Sequence, residues 1–125
     1  MKRYLTTFPV SYLINYREFD RVNNPIIPIP FFQMETVDSI EEKIKQDGLQ
    51  TPLTLGVWGT KCLLVDGNHR IAALSRLKRN QVACYVEIYE TEDEFRKDLS
   101  KPTRERFIAI RHDIINIINA LKLTP

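Results

Sequence analysis

One short stretch, Val65-Asp66-Gly67-Asn68-His69-Arg70, decides how this chain is predicted to fold. The five residues that end at Val65 are strand-like, and from His69 onward apolar residues recur at helical spacing. A chain that passes from strand to helix over so few residues must turn sharply, and Gly67 can adopt the positive φ that such a turn requires. The stretch therefore predicts a strand, a glycine turn and a helix whose N-terminus lies open above the strand end.

An open helix N-terminus of this kind attracts anions, because its free backbone N–H groups and the helix dipole both favour negative charge. Asn68 and His69 add side-chain donors, and Arg70 offers a guanidinium group that matches phosphate oxygens. We therefore predict that residues 67–70 bind a phosphate group. The structural alternative is that Asn68 only caps the helix, Asp66 closes the turn, and His69 and Arg70 are solvated.

The sequence on either side of the turn predicts a small α/β domain. Thr36 is the expected N-cap of its first helix, and Gly48 is the expected end of that helix. Trp58 lies at the tip of a predicted hairpin, where we expect it to cover the edge of the core and not to stack on a base. The other predicted elements are short edge strands and loops in residues 1–35, hairpin strands at 52–57 and 61–65, a helix from His69 and a strand at 82–88.

The last third of the chain predicts two helices. Thr91-Glu92-Asp93-Glu94 has the form of a capping box that opens the first of them, and a longer helix is predicted from about Thr103. The apolar stripe of the longer helix is wider than one buried face requires; it comprises Phe107, Ile108, Ile110, Ile114, Ile115, Ile117, Ile118 and Leu121. We therefore expect a homodimer through residues 103–122, with packing of this helix on its own domain as the alternative.

Composition limits the class of function. The 125 residues are 43% hydrophobic and carry a formal net charge of +2, which suits one core but gives no overall signature of nucleic-acid binding. Cys62 and Cys84 lie in apolar runs and are expected to be reduced core thiols. No cluster of His, Cys or Asp has zinc spacing, so no metal site is predicted. No stretch approaches the roughly 20 apolar residues of a membrane span, so a soluble, cytoplasmic protein is the expectation.

Residues 47–86 resemble the ParB/sulfiredoxin-like superfamily. The run Gly48-Leu49-Gln50-Thr51-Pro52-Leu53-Thr54-Leu55 is similar to its first motif, in which a glycine ends a helix and a turn leads into a strand. The run Asp66-Gly67-Asn68-His69-Arg70-Ile71-Ala72-Ala73-Leu74 resembles its second motif, a Gly-x-x-Arg turn before a helix with small residues, and Val82-Ala83-Cys84-Tyr85-Val86 matches the strand that follows. The resemblance implies an α/β (α+β) fold with a small mixed sheet over residues 1–90, to which residues 91–125 add two helices.

Members of this superfamily bind nucleotides with the glycine–arginine turn: chromosome-partitioning proteins use CTP, sulfiredoxins use ATP, and a related free-serine kinase uses ADP. The resemblance therefore implies that Gly67, Asn68, His69 and Arg70 contact the phosphates of ATP, ADP or CTP, with Mg²⁺ as a candidate companion. It also admits slow nucleotide hydrolysis, phosphotransfer or nuclease activity. Asn68 stands where sulfiredoxins place their reactive cysteine, so repair of oxidised cysteine is not expected.

Catalysis at a phosphate would require a carboxylate. Asp66 is the nearest in sequence, and the resemblance to the kinase-like branch suggests Glu18, with Asp20 as a substitute; a solvated charge cluster is the alternative. Three basic residues on or just after the helix could follow the phosphate backbone of a nucleic acid, although helix surfaces carry such charges routinely. They are Arg76, Lys78 and Arg79.

Two functions are consistent with these features. One is a ParB-like domain that binds nucleotide phosphates with the turn at residues 66–70. The other is a small non-enzymatic phage or plasmid effector that binds a host protein through its C-terminal helix. The wide apolar stripe favours it, and so does the lack of the second nucleotide motif that follows this domain in the chromosome-partitioning proteins. Direct DNA binding is a third reading, which the near-neutral charge disfavours.

Overall fold

The fold is built outward from the hairpin that ends in the glycine turn. In the computed structural model, β2 (Leu53–Trp58) and β3 (Lys61–Asp66) pair antiparallel, as their sequence predicts. From β3 the chain enters α3 (Asn68–Arg76) and then β4 (Gln81–Tyr89), which pairs with β2 in parallel. A parallel neighbour requires such a crossover helix, so α3 lies against one face of the sheet.

Strand β1 (Lys2–Pro9) pairs antiparallel with β4 and completes one side of a five-stranded mixed sheet of order β1-β4-β2-β3-β5. The structure describes residues 1–16 and 31–122. Its other elements are α1 (Val10–Leu13), a 3₁₀ turn (Ile14–Tyr16), α2 (Phe31–Asp47), α4 (Glu92–Asp98), α5 (Lys101–Glu105), β5 (Ile108–Ala109) and α6 (His112–Lys122). No helix among these residues is long and apolar enough to cross a membrane.

The sheet buries apolar side chains on both faces, because successive residues of a strand point to opposite sides. On one face Cys62 and Leu64 join the main core, together with residues of α1, α2, α3 and α6. On the other face Leu63, between them in sequence, belongs to a second cluster. The middle of the sheet therefore lies between two apolar layers and packs against both of them.

Aromatic rings form most of this second cluster. Trp58 stacks on Phe95 with ring centroids 5.0 Å apart, and Phe107 meets Phe95 edge-on at 5.1 Å. Tyr89 meets the same ring edge-on at 5.6 Å. Such offset and edge-on pairs are favourable arrangements of aromatic side chains. The prediction that Trp58 covers the edge of the core is confirmed.

The expected long helix from Thr103 is wrong. The chain forms the short helix α5 and then leaves the helical path at Phe107, and β5 pairs with the outer edge of β3, where Ile108 lies opposite Cys62. The β-branched residues near this position suit a strand as well as a helix, and pairing with β3 decides between the two. The predicted helix start at Thr91 is confirmed, since the Thr91 hydroxyl accepts a hydrogen bond from Glu94 N–H at 3.2 Å. The reciprocal half of a capping box is not shown, because the Glu94 carboxylate pairs with the N-terminal amine.

Helix α6 uses its apolar side inside its own domain. Ile114 and Ile118 are fully buried in the main core. The Tyr16 hydroxyl accepts a hydrogen bond from Arg111 N–H at 2.8 Å and donates one to Asp113 Oδ1 at 3.1 Å, so the start of α6 is tied to the 3₁₀ turn near the beginning of the chain. Burial raises the pKa of Tyr16 well above its usual value. The homodimer stays a prediction, but the single continuous stripe on which it was based is not formed.

Helix α2 is longer than expected at its N-terminal end. It begins at Phe31, so Thr36 lies inside the helix and is not its N-cap, which corrects the sequence prediction. No residue between Phe31 and Thr36 opposes a helix, and local propensity therefore could not distinguish an internal threonine from a capping one. The predicted end is confirmed, because Gly48 has a φ of 75° and its N–H donates to the Ile44 carbonyl at 2.8 Å.

The C-terminal end of α3 provides a first testable prediction. Lys78 has a φ of 56° and is the one non-glycine residue with positive φ in the described ranges. Its N–H donates to Ser75 O and that of Arg79 donates to Leu74 O, both at 3.0 Å, the pattern of a Schellman motif that normally ends in glycine. We expect Lys78→Gly to raise the free energy of unfolding by about 0.5 to 1 kcal/mol, measured by urea denaturation.

The matched control is Arg79→Gly at the next position, which does not have a positive φ. There glycine only adds freedom to the unfolded chain, and the free energy of unfolding should stay the same or fall. Equal effects of the two substitutions would show that the left-handed backbone at Lys78 is not strained.

Candidate functional site

The hairpin register brings two separate loops side by side. Thr54 near the start of β2 lies opposite Asp66 at the end of β3. The loop before β2, residues 48–52, therefore adjoins the turn after β3, residues 66–68. Both stretches that resemble family motifs thus lie together, where β2 begins and β3 ends.

Gly67 makes the predicted turn and is required there by its surroundings. It is the N-cap residue of α3 with a φ of 108° and a ψ of 20°, in the left-handed region. A Cβ at this position would lie 2.4 Å from Leu53 Cδ2. Its carbonyl accepts the first helical hydrogen bond, from Ile71 N–H at 2.8 Å. The predicted change from strand to helix is confirmed, and the first N–H groups of α3 lie next to the turn.

A cavity of about 350 Å³ opens beside this turn. One wall is the start of α3, and the other is the C-terminal half of α2 with the loop that follows it. The lining residues are Ile40, Lys43, Ile44, Gly48, Leu49, Gln50, Thr51, Asp66, Gly67, His69 and Arg70. Its volume is at the lower end of the range of small-molecule sites.

Arg70 is fixed against the cavity wall by three hydrogen bonds. Its Nη1 donates to the Thr51 carbonyl at 2.7 Å and to Thr51 Oγ1 at 2.9 Å, and its Nη2 donates to Asp66 Oδ2 at 3.1 Å. The Arg70 side chain is 19% exposed, whereas that of Asp66 is 70% exposed. Thr51, in the loop before β2, thus holds the guanidinium group through its backbone carbonyl and its hydroxyl, and Asp66 contacts the other terminal nitrogen.

Four of the predicted site residues line this cavity: Asp66, Gly67, His69 and Arg70. Asn68 is the first residue of α3, so its backbone lies at the same place. Glu18 and its substitute Asp20 fall outside the residues that the structure describes. The predicted anion site and the nearest carboxylate therefore occupy one location.

The three basic residues predicted to contact nucleic acid lie elsewhere. Arg76 ends α3, where its Nη1 pairs with Asp38 Oδ1 at 2.7 Å and its Nη2 with Glu41 Oε2 at 3.1 Å. These ion pairs join α3 to the middle of α2. Lys78 and Arg79 are exposed just beyond the helix. Because α3 has nine residues, about 13 Å at 1.5 Å per residue separates this group from the cavity end.

Three polar residues of the cavity are not among the predicted site residues: Lys43, Gln50 and Thr51. Gln50 and Thr51 belong to the motif-like stretch before β2, but nothing local indicates that Thr51 holds Arg70. Lys43 is an exposed residue of α2, yet it lines the cavity. The helical spacing of Ile40, Lys43 and Ile44 was a signal that these residues share one side.

The charges of the cavity favour an anionic ligand. Lys43 and Arg70 contribute two cations, and the N-terminus of α3 adds the positive end of a helix dipole. Among the described lining residues, Asp66 carries the one carboxylate. An apolar patch of Ile40, Ile44 and Leu49 lies on the opposite wall. The cavity is thus suited to a ligand with an anionic group at one end and an apolar, flat group at the other.

The two cysteines do not take part in this site. Cys62 and Cys84 are free and fully buried. Burial raises the pKa of each thiol to about 12, so both remain protonated near neutral pH. A buried, protonated thiol is a poor nucleophile. Within residues 1–16 and 31–122, no three His, Cys, Asp or Glu side chains converge as metal ligands would.

Comparison with known proteins gives a family match and two structural matches. The family model that describes the ParB N-terminal domain matches residues 14–101 of this sequence, more than two thirds of the chain. The crystal structure of sulfiredoxin from Arabidopsis thaliana superposes with a TM-score of 0.50 at 18% identity, covering 82% of this chain and 96% of that one. A Pnob8-like ParB-N domain gives 0.49 at 13% identity over 77% of this chain and 34% of its own. No curated protein sequence matches significantly. At 18% identity the sulfiredoxin structure shows a shared fold.

Proposed function

The chain belongs to the ParB N-terminal domain family, and on that premise we propose that it binds a nucleotide through the turn at residues 66–70. ATP, ADP and CTP are the candidate ligands. The observation that carries the proposal is Arg70, which Thr51 holds rigidly beside the open N-terminus of α3 in a cavity of about 350 Å³. A guanidinium already fixed in place loses little conformational entropy when it binds a phosphate.

The phosphates would lie at the α3 end of the cavity. Backbone N–H groups at residues 68–70 and the Arg70 guanidinium are the donors for them there, and His69 lines the same end. The base would lie against Ile40, Ile44 and Leu49, which offer an apolar surface to a flat ring. Lys43 lies beside this patch and would add a second cation for a di- or triphosphate chain.

Turnover of the nucleotide would need further groups. Asp66 is the carboxylate in the cavity, and its exposed side chain would hold a Mg²⁺ ion, which would offset the charge of the phosphates. Glu18 is the second candidate carboxylate. Slow hydrolysis, phosphotransfer and nuclease activity all depend on such groups, and release of inorganic phosphate from ATP with Mg²⁺ measures the first of them.

A calorimetric titration with ATP, ADP, CTP and GTP, each with and without Mg²⁺, tests the proposal directly. Binding of at least one nucleotide in the micromolar to millimolar range is expected. Absence of heat with all four, together with unchanged amide resonances of residues 67–71 in NMR spectra, would contradict it.

Lys43 gives a prediction that separates the two walls of the cavity. Lys43→Ala should weaken binding of the best nucleotide of that panel about three- to tenfold, because one exposed charge-assisted contact to phosphate is lost. Lys45→Ala is the matched control: it removes the same charge from the same helix, but Lys45 does not line the cavity. If the two substitutions weaken nucleotide binding equally, the affinity depends on the overall charge of the protein and not on a contact of Lys43 with the ligand.

The alternative functions receive less support from the contacts. A host-protein effector would use the apolar side of the C-terminal helix, but Ile114 and Ile118 already pack in the domain's own core. A nucleic-acid partner would contact Arg76, Lys78 and Arg79, and Arg76 is engaged by two carboxylates of α2. The cavity, by contrast, is lined by Lys43, Arg70 and the start of α3, which supports an anionic ligand, so we favour the nucleotide.

A further inference from the structure

The two terminal nitrogens of Arg70 have different partners. Nη1 donates to the backbone carbonyl and the hydroxyl of Thr51, and Nη2 donates to Asp66 Oδ2. Thr51 lies two residues before β2, so its two bonds fix the guanidinium group to the loop that leads into the sheet. The Asp66 side chain is 70% exposed, and an exposed ion pair with its partner four residues away contributes little to stability. The bond between Nη2 and Asp66 is therefore easily exchanged.

We propose that Asp66 is an affinity-determining residue: its carboxylate occupies Nη2 of Arg70, and a ligand phosphate displaces it. This inference rests on the proposed nucleotide function. A phosphate that approaches Arg70 brings negative charge to within a few ångströms of the Asp66 carboxylate, which is unfavourable. Asp66 thus keeps the guanidinium in its binding orientation while it reduces the affinity for anions.

The proposal predicts opposite signs for two measurements. Asp66 precedes α3, where a negative charge stabilises the helix N-terminus, so Asp66→Asn should slightly lower the midpoint of urea unfolding. The same change removes the competing anion and should tighten phosphate binding. A residue with a merely structural role would lower both the stability and the affinity.

The experiment is a calorimetric titration with ADP in the presence of EDTA, so that no divalent metal contributes. We expect the dissociation constant of Asp66→Asn to be about three- to tenfold lower than that of the native protein, the size of one exposed ion pair together with the repulsion it opposes. Glu92→Gln is the matched control. Glu92 also pairs with an arginine four residues on, Arg96, at 2.6 Å and 62% exposure, but lies outside this cavity.

The control should leave ADP binding within about twofold of the native value, because net charge alone has little effect on a contact of such short range. If the native protein binds a nucleotide of the panel and Asp66→Asn binds ADP equally or more weakly, this inference is overturned and the proposed function stands. If neither protein binds any of the four nucleotides, the proposed function fails, and this inference fails with it.

Discussion

Arg70→Ala should weaken nucleotide binding by about 1.5 to 3 kcal/mol, which is roughly a ten- to 150-fold rise in the dissociation constant. Arg70 is the cation that the protein itself fixes in the cavity, through the carbonyl and hydroxyl of Thr51. Alanine removes the charge and leaves the backbone N–H groups of α3 as the remaining donors. Calorimetry with the best nucleotide of the panel measures the loss.

Arg76→Ala is the control for this substitution. Arg76 lies on the same helix and makes two ion pairs with α2, but it is remote from the cavity. Its removal should lower stability slightly and leave the dissociation constant unchanged. Arg70→Lys adds a second comparison, because a lysine has no planar fork to reach Thr51 and a phosphate together. Native-like binding by Arg70→Ala would place the ligand elsewhere on the domain.

The parts of the fold that depend on local chemistry could be predicted from the sequence. Gly67 stands between a strand pattern and a helical pattern, and only a positive-φ residue fits between them at that spacing. The hairpin around Trp58 and the helix start at Thr91 follow from short-range rules of the same kind. These are interactions between residues close in sequence, so neighbouring residues contain the necessary information.

The parts that depend on distant residues could not be predicted in this way. Ile108 has helical spacing relative to its neighbours, yet it pairs as a strand because the outer edge of β3 is available to it. Thr51 holds Arg70 only because the hairpin register places the start of β2 beside the end of β3. A threonine before a strand gives no local sign of such a contact. Half of the cavity wall therefore emerged only from the tertiary structure.

Gly67→Ala should lower the free energy of unfolding by about 2 to 4 kcal/mol, a large part of the stability of a small domain. Two costs combine. An alanine at a φ of 108° is strained, and its Cβ would lie 2.4 Å from Leu53 Cδ2 in the fully buried core. Urea denaturation followed by circular dichroism measures the sum.

Gly59→Ala separates the two costs, because Gly59 has a φ of 59° and no atom within 4 Å of the new Cβ. The free energy of unfolding of Gly59→Ala should fall by about 1 kcal/mol, from backbone strain alone.

A double-mutant cycle with Leu53→Val identifies the contact responsible for the additional loss. Valine lacks the Cδ2 atom that the new methyl group would meet, so the double variant should be more stable than the sum of the two single losses predicts, by about 1 kcal/mol or more. A purely additive result would mean that backbone strain, and not the packing of β2 against the turn, makes glycine necessary. Where the clash dominates, the turn must move away from Leu53 to relieve it, and the N–H groups at the start of α3 move with it. Gly67→Ala should then also lose ADP binding in its folded fraction, whereas Gly59→Ala at the far end of the hairpin should retain it.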